Sequence, residues 1–251
     1  ISYTCFDGES SFSHALSLTT TGVNTSRLNR LEHFVSDFPA EGIHMSGEAL
    51  HSQLDEIERI HGLYSPAALG LASALACGAF TFLLGGGPLE MILAFAGAGI
   101  GNAIRCKLGK HHFTLFMCIA VSVSSACLVY AGFLKLAELL FHISVQHEAG
   151  YICSMLFIIP GFPFITSGID LAKLDMRSGL ERLAYAIIVV MVAAVSAWLM
   201  ALLLHLKPVD FLPLELSAAQ RILFRLLASF CGVFGFSVMF NSPVRLAAAA
   251  A

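Results

Sequence analysis

Charge is scarce in this sequence. Asp, Glu, Lys and Arg make up 12% of its 251 residues, against about 25% in an ordinary soluble domain. The formal net charge of −3 is weak and gives no reason to expect nucleic acid as a partner. Paired cysteines are also missing. Cys5, Cys77, Cys106, Cys118, Cys127, Cys153 and Cys231 include no CxxC, and all but Cys5 lie in or beside apolar runs. They read as small buried side chains rather than as a redox or metal centre. His14, His33, His44, His51 and His61 show no ligand spacing, so no metal and no cofactor is expected. Nothing has the strand-turn-helix setting of a nucleophile elbow, and no enzyme is expected.

What the chain has in excess is apolar surface: 57% of it is hydrophobic. A soluble globule of this size could not hide that much, so lipid is the natural solvent. The expected fold class is an α-helical polytopic membrane protein with about six spans and a small N-terminal soluble α+β module. Pro66 to Leu84 is the first uncharged run, and Met91 to Ile104 is a shorter second. Phe113 to Leu134 is a full span; Tyr151 to Ile169 is a fourth, interrupted by Pro160-Gly161-Phe162-Pro163. Leu183 to Leu204 is the fifth. Leu226 to Phe240 is a sixth, either short or continuing a helix that starts near Ser217.

Residues 1–65 read as the soluble module. Two strands, Ile1 to Phe6 and Phe12 to Thr20, meet at the turn signal Asp7-Gly8. A helix is expected from Ser26 to Phe38, broken by Pro39 to Gly42. Ser46 then caps a second helix with Leu50, Leu54, Ile57 and Ile60 on one face. Residues 66–206 form a first membrane domain of about five spans, and 217–251 are expected to open a second. Because the sequence begins at Ile1, the module is expected to lack its first elements, and the second membrane domain is expected to be incomplete.

Basic residues set the expected orientation. The second-to-third loop carries Arg105, Lys107 and Lys110, and the fourth-to-fifth carries Lys173, Arg177 and Arg182. The segment from His142 to Gly150 has no Lys or Arg. The positive-inside rule puts the two basic loops, and with them the N-terminal module, in the cytosol. Arg221 and Arg225, just before the sixth span, argue mildly the other way.

The broken fourth span carries the most information. Pro160 and Pro163 remove backbone donors, and lipid tolerates freed carbonyls only where protein or water satisfies them. Carriers use such breaks to present backbone dipoles to cargo; a proline kink made for packing is the competing reading. Asp170 closes this span, with Asp175 and Arg177 beyond it. An acid beside an apolar helix is expensive and often functional, although a helix-end position at the membrane surface would also accommodate it. Glu181 and Arg182 open the fifth span, as interfacial anchors or as site residues. Glu90 follows Gly85-Gly86-Gly87, and Asn102 lies near the other end of the second span; either could line a polar path, or the span's small residues could serve close packing alone. Lys135 and Glu138 are placed to pair at the interface. A weak echo relates Gly78, Phe80, Phe82 and Pro88 to Gly232, Phe234, Phe236 and Pro243.

These stretches resemble the threonine/serine exporter family. Pro160-Gly161-Phe162-Pro163, then Asp170, then Ser178-Gly179-Leu180 with Arg182, is similar to its signature. So are the Gly85-Gly86-Gly87 turn and the segment from Thr20-Thr21-Gly22-Val23-Asn24 through Leu54 to Tyr64. Phe240-Asn241-Ser242-Pro243-Val244-Arg245 resembles the opening span of the family's second membrane domain, making Asn241 and Pro243 its motif residues. The family often has an aromatic-acid pair after the glycine turn, where this chain reads Pro88-Leu89-Glu90.

The resemblance implies secondary export of threonine/serine-type amino acids, or of dicarboxylates such as succinate, from a bacterial inner membrane or a fungal membrane. It implies Pro160, Gly161, Pro163, Asp170, Arg182, Glu90 and Asn102 as pathway residues, and Gly85, Gly86 and Gly87 as a structural turn. The expected partners are the lipid bilayer, the cargo, protons as coupling ion, a C-terminal membrane half or small subunit, and further copies of the chain in a homo-oligomer. A passive channel and a non-transporting membrane subunit are the alternatives from other functional classes.

Overall fold

The computed structural model describes residues 2–6, 8–15, 23–60, 62–142, 147–207, 210–212 and 214–251. These fall into two compact units, Ile1–Ile60 and His61–Ala251.

In the first unit, strands β1 (Ser2–Phe6) and β2 (Ser11–Ala15) pair antiparallel, with Phe6 opposite Ser11 and Ser2 opposite Ala15. Gly8 takes φ +97° in the connection, a conformation that glycine adopts without a Cβ penalty. Ile1, Asp7 and residues 16–22 lie outside the described residues, and with them the far end of the expected second strand and the Thr20-Thr21-Gly22 stretch. Helix α1 (Thr25–Asp37) is capped by Asn24, whose Oδ1 accepts from the Arg27 N–H at 3.1 Å. A turn and a short 3-10 segment, Gly42–His44, separate it from α2 (Gly47–Glu58). Ser46 caps α2 as the sequence predicts, its Oγ accepting from the Ala49 N–H at 3.3 Å. Arg27 Nε donates to the Ile60 carbonyl at 2.8 Å, fastening the start of α1 to the chain beyond α2.

The second unit is a helical bundle. Five of its helices are long and apolar enough to cross a membrane: α3 (Pro66–Leu83), α4 (Pro88–Lys110), α5 (Leu115–Phe141), α7 (Met176–Leu204) and α8 (Ala218–Met239). A bent pair of segments is a sixth candidate crossing. It consists of 3-10 turns over Glu148–Tyr151 and Cys153–Ile158, then α6 (Gly161–Ala172), bent by 56°. A last helix, α9, covers Val244–Ala250. The chain is therefore an α-helical polytopic membrane protein, as its composition requires.

Several boundaries differ from the sequence reading. The second span is not short: α4 continues past Ile104, so Arg105, Lys107 and Lys110 ride on its last turns instead of in a loop. Asn102 interrupts the apolar run near its end and faces a neighbour, donating from Nδ2 to the Leu69 carbonyl of α3 at 2.9 Å. Helix α5 likewise runs on through Lys135 and Glu138, and among the described residues no ion pair joins those two. The sixth span takes the longer of its two expected forms, starting from a capping box at Ser217 and Gln220.

Small residues set the packing. Helix α4 lies between α3 on one flank and α5 with the 3-10 turns on the other. A Cβ on Gly97 would stand 2.9 Å from both the Ala126 carbonyl and the Ser154 Cβ. No larger residue fits there without moving backbone, which is the close approach that small-residue interfaces allow in lipid. The core is accordingly built from Ala94, Ala98, Ala126, Cys127 and Cys77 around the larger Tyr130 and Phe157.

The echo between α3 and α8 has a structural counterpart. Both spans end in a Schellman arrangement. After α3, the Gly86 N–H reaches the Thr81 carbonyl at 2.8 Å, and Gly85 takes φ +103°. After α8, the Ser242 N–H reaches the Ser237 carbonyl at 3.1 Å, and Asn241 takes φ +65°. The two helices also pack on each other, with the Phe80 and Phe236 rings edge-to-face at 5.4 Å.

Candidate functional site

The break in the fourth span forms differently from a simple proline kink. Pro160 is the N-cap of α6 and Pro163 lies in its first turn, where a missing N–H costs little because first-turn donors have no intrahelical acceptor. The prolines thus start the second half rather than interrupt it. Upstream, the first half winds as 3-10 turns, which rise about 2.0 Å per residue instead of 1.5. That half is packed against α3, α4 and α5, with Cys153, Ser154, Phe157 and Ile158 buried. At the junction the Gly161 N–H bonds to the Ile159 carbonyl at 2.9 Å and the Phe164 N–H to the Pro160 carbonyl at 3.2 Å. Phe162 is left as the one first-turn donor of α6 without a backbone acceptor among the described residues. A Cβ on Gly161 would meet open space.

At the far end of α6 the chain turns tightly into α7. Leu174 takes φ +62°, and Asp175 caps α7 with its Oδ1 accepting from the Ser178 N–H at 3.2 Å. The Ser178 hydrogen bonds, from side chain and backbone, hold the exposed Asp175 carboxyl below the usual carboxylate range. Buried Ser167 donates to the Gly179 carbonyl at 2.7 Å, joining the two helices. This corner brings Asp170 to Arg182, Oδ2 to Nη1 at 3.2 Å, with side-chain exposures of 21% and 49%. That contact has the distance of an ion pair without hydrogen-bond alignment: Asp170 Oδ2 is shielded from solvent and takes no hydrogen bond. Arg177 and Glu181 form a separate, exposed pair at 3.1 Å.

Asn102 and Arg105 stand on the last turns of α4. Asn102 is buried, and its Oδ1 accepts from Arg105 Nε at 3.0 Å. Arg105 is half-buried and has no carboxylate partner among the described residues.

Glu90 lies at the opposite end of α4, beyond the glycine turn. It is 2% exposed, and its Oε1 stands 2.6 Å from His147 Nδ1. A Cβ on Gly87 would fall 2.9 Å from Glu90 Oε2, so the absence of a side chain there makes room for the carboxylate. Gly86 is restricted by Thr81, whose Cγ2 lies 2.5 Å from where its Cβ would be.

The predicted site residues therefore occupy four places. Asp170 meets Arg182; Asn102 meets Arg105; Glu90 meets His147; Pro160, Gly161 and Pro163 form the break. Asn241 and Pro243 are apart from all of them. Asn241 Oδ1 accepts from the Leu63 N–H at 2.6 Å, and the Tyr64 hydroxyl donates to the Ser242 carbonyl at 2.7 Å, fastening the exit of α8 to the entry of α3. Sequence reasoning missed His147, Tyr130 and Arg105. His147 carries a signal, since His147-Glu148 is a polar step directly before an apolar run. Its partner lies 57 positions away, and no local pattern gives that pairing. Among the described residues, no group of His, Cys, Asp and Glu could hold a metal ion.

Comparison with known families gives one result. The family model described as "Putative threonine/serine exporter" matches residues 1–205. Neither curated proteins nor solved structures yield a match. The segment containing Asn241 and Pro243 lies beyond the matched residues. Since the match takes in the first unit, the broken span and the Asp170–Arg182 corner, the chain belongs to the threonine/serine exporter family.

Proposed function

We propose that this protein is a secondary transporter that exports threonine and serine-type amino acids, with the broken span as the element that meets the cargo. The observation that carries the reading is the form of that span. Its first half is packed inside the bundle, its second half begins at an open glycine followed by a Phe162 N–H that has no backbone acceptor among the described residues, and it ends at an Asp170–Arg182 contact without hydrogen-bond alignment. An α-amino acid carries an ammonium and a carboxylate, and Asp170 and Arg182 are complementary to both. A cargo that inserts between them exchanges one imperfect contact for two charge-assisted ones.

The basic ends of α4 and α7 face the cytosol in this reading, together with the first unit. Cargo enters at the Asp170 end and leaves at the glycine-turn end. The stretch from residue 217, with Asn241 and Pro243, opens a second membrane half, supplied by the same polypeptide or by a small subunit, and copies of the chain assemble as a homo-oligomer.

The test is counterflow in liposomes with the full-length protein and labelled threonine, serine and succinate. Threonine and serine are expected to exchange saturably. Asp170→Asn and Arg182→Ala, inserted at parental levels, are expected to slow exchange about tenfold or more, since a charge-assisted hydrogen bond contributes roughly 1.5–3 kcal/mol. Exchange of succinate alone would reassign the cargo to dicarboxylates. Undiminished exchange by both variants would remove the site, and unsaturable flux would make the protein a channel.

A further inference from the structure

Glu90 is the one charged side chain that is fully buried among the described residues. It stands in the first turn of α4, where free N–H groups and the helix dipole favour a negative charge. A single cationic side chain meets it among the described residues, His147, at 2.6 Å. The two differ in access: His147 is 16% exposed and reaches water, whereas Glu90 does not. The His147 backbone is anchored, because the fully buried Tyr130 donates its hydroxyl to the His147 carbonyl at 2.6 Å. Gly150 presses against Tyr130 so closely that a Cβ there would collide with the ring and hydroxyl.

We infer that Glu90 and His147 together form the proton-binding site that couples export to a proton gradient, an assignment that rests on the transport reading above. Histidine is the side chain whose charge changes between pH 5 and 8, and here a partly exposed His147 contacts a buried carboxylate. Protonated His147 passes the hydrogen on Nδ1 to Glu90 Oε1, leaving a neutral imidazole and a carboxylic acid. The pair holding one proton is neutral in either arrangement, and the pair without it carries −1. Burying that uncompensated charge is costly, which gives the site its affinity for a proton.

Among the described residues, further titratable groups lie on the elements around Glu90, including His205, Lys207, Asp210 and Glu215 on the chain after α7, whose Leu214 lies beside Gly87. Helix α3 offers Cys77; α5 offers Cys127 and Tyr130; the 3-10 turns offer Glu148, Tyr151 and Cys153. Thiols and phenols ordinarily titrate above pH 8, and the Glu148 carboxylate accepts from the Lys207 backbone N–H at 2.5 Å. The pair also stands where coupling needs it. His147 precedes the broken span and Asp170 closes it, so proton and cargo load at opposite ends of one segment.

The first readout does not depend on transport. Infrared difference spectra of the full-length protein, titrated from pH 5 to 9, are expected to show a protonated-carboxyl band that disappears in Glu90→Gln. In His147→Gln the band should titrate at a shifted pH. In liposomes with an imposed pH gradient, the parent should accumulate threonine about tenfold per pH unit for one proton per cargo, and Glu90→Gln should reach a ratio near one. A carboxyl band unaffected by Glu90→Gln, or gradient-driven accumulation that survives it, overturns the assignment. If the parent moves no threonine, the transport reading fails while the infrared titration still decides whether the pair binds a proton.

Discussion

Two acid–base contacts, one at each end of the bundle, show what their surroundings make of similar chemistry. Glu90 and His147 meet inside the protein, while Asp170 and Arg182 meet at a helix corner with the arginine half exposed. The first couples a sealed carboxylate to a cation that can lose its charge. The second couples an acid to a guanidinium that stays charged at every accessible pH. Burial makes the first contact expensive to break and responsive to protons; exposure makes the second cheap to open and available to a zwitterion.

Stability measurements sharpen that contrast. His147→Ala leaves Glu90 buried with no cation and is expected to cost about 3 kcal/mol, read as a fall in the unfolding midpoint in detergent. Gly97→Val, which crowds the Ala126 carbonyl and Ser154, is expected to cost about 2 kcal/mol by overpacking, with little dependence on pH. Arg182→Ala should change stability by less than about 1 kcal/mol, as for other partly exposed pairs, while exchange falls. Equal losses of stability at His147 and Arg182 would erase the distinction between the two ends.

The smallest effect is expected at Asp175. Its carboxyl titrates below the ordinary aspartate range because the Ser178 side chain and backbone donate to it. A depressed folded-state value stabilises the protein above the ordinary value, and that contribution is lost as pH falls through the depressed one. Asp175→Asn should therefore lower stability slightly around pH 7, where that contribution is present, and change it less at acid pH, flattening the acid limb of the stability curve.

Much of the architecture was legible because lipid imposes a coarse rule. Apolar runs gave the spans, Pro160 and Pro163 gave the place of the break, and Ser46 gave a helix start through capping chemistry, while the start near Ser217 was one of two open readings. The extent of α4 was not legible, since Asn102 and Arg105 interrupt the apolar run while satisfying each other and the Leu69 carbonyl on a continuing helix. Nor was the 3-10 winding of Cys153–Ile158, which the burial of that segment among three helices accompanies and no local residue announces. The Asp170–Arg182 pairing was within reach, because a tight corner separates two residues close in sequence. Glu90–His147 was not, because it depends on how α4 and the broken span pack.

Access to the break tests the central claim most directly. Gly161→Cys places a thiol in open space at the start of α6, and its labelling by a membrane-impermeant maleimide is measured against the parent, whose seven cysteines set the background. Labelling that threonine slows and succinate does not is the predicted result. A thiol that never labels, or that labels equally with and without threonine, would contradict a cargo route along the broken span.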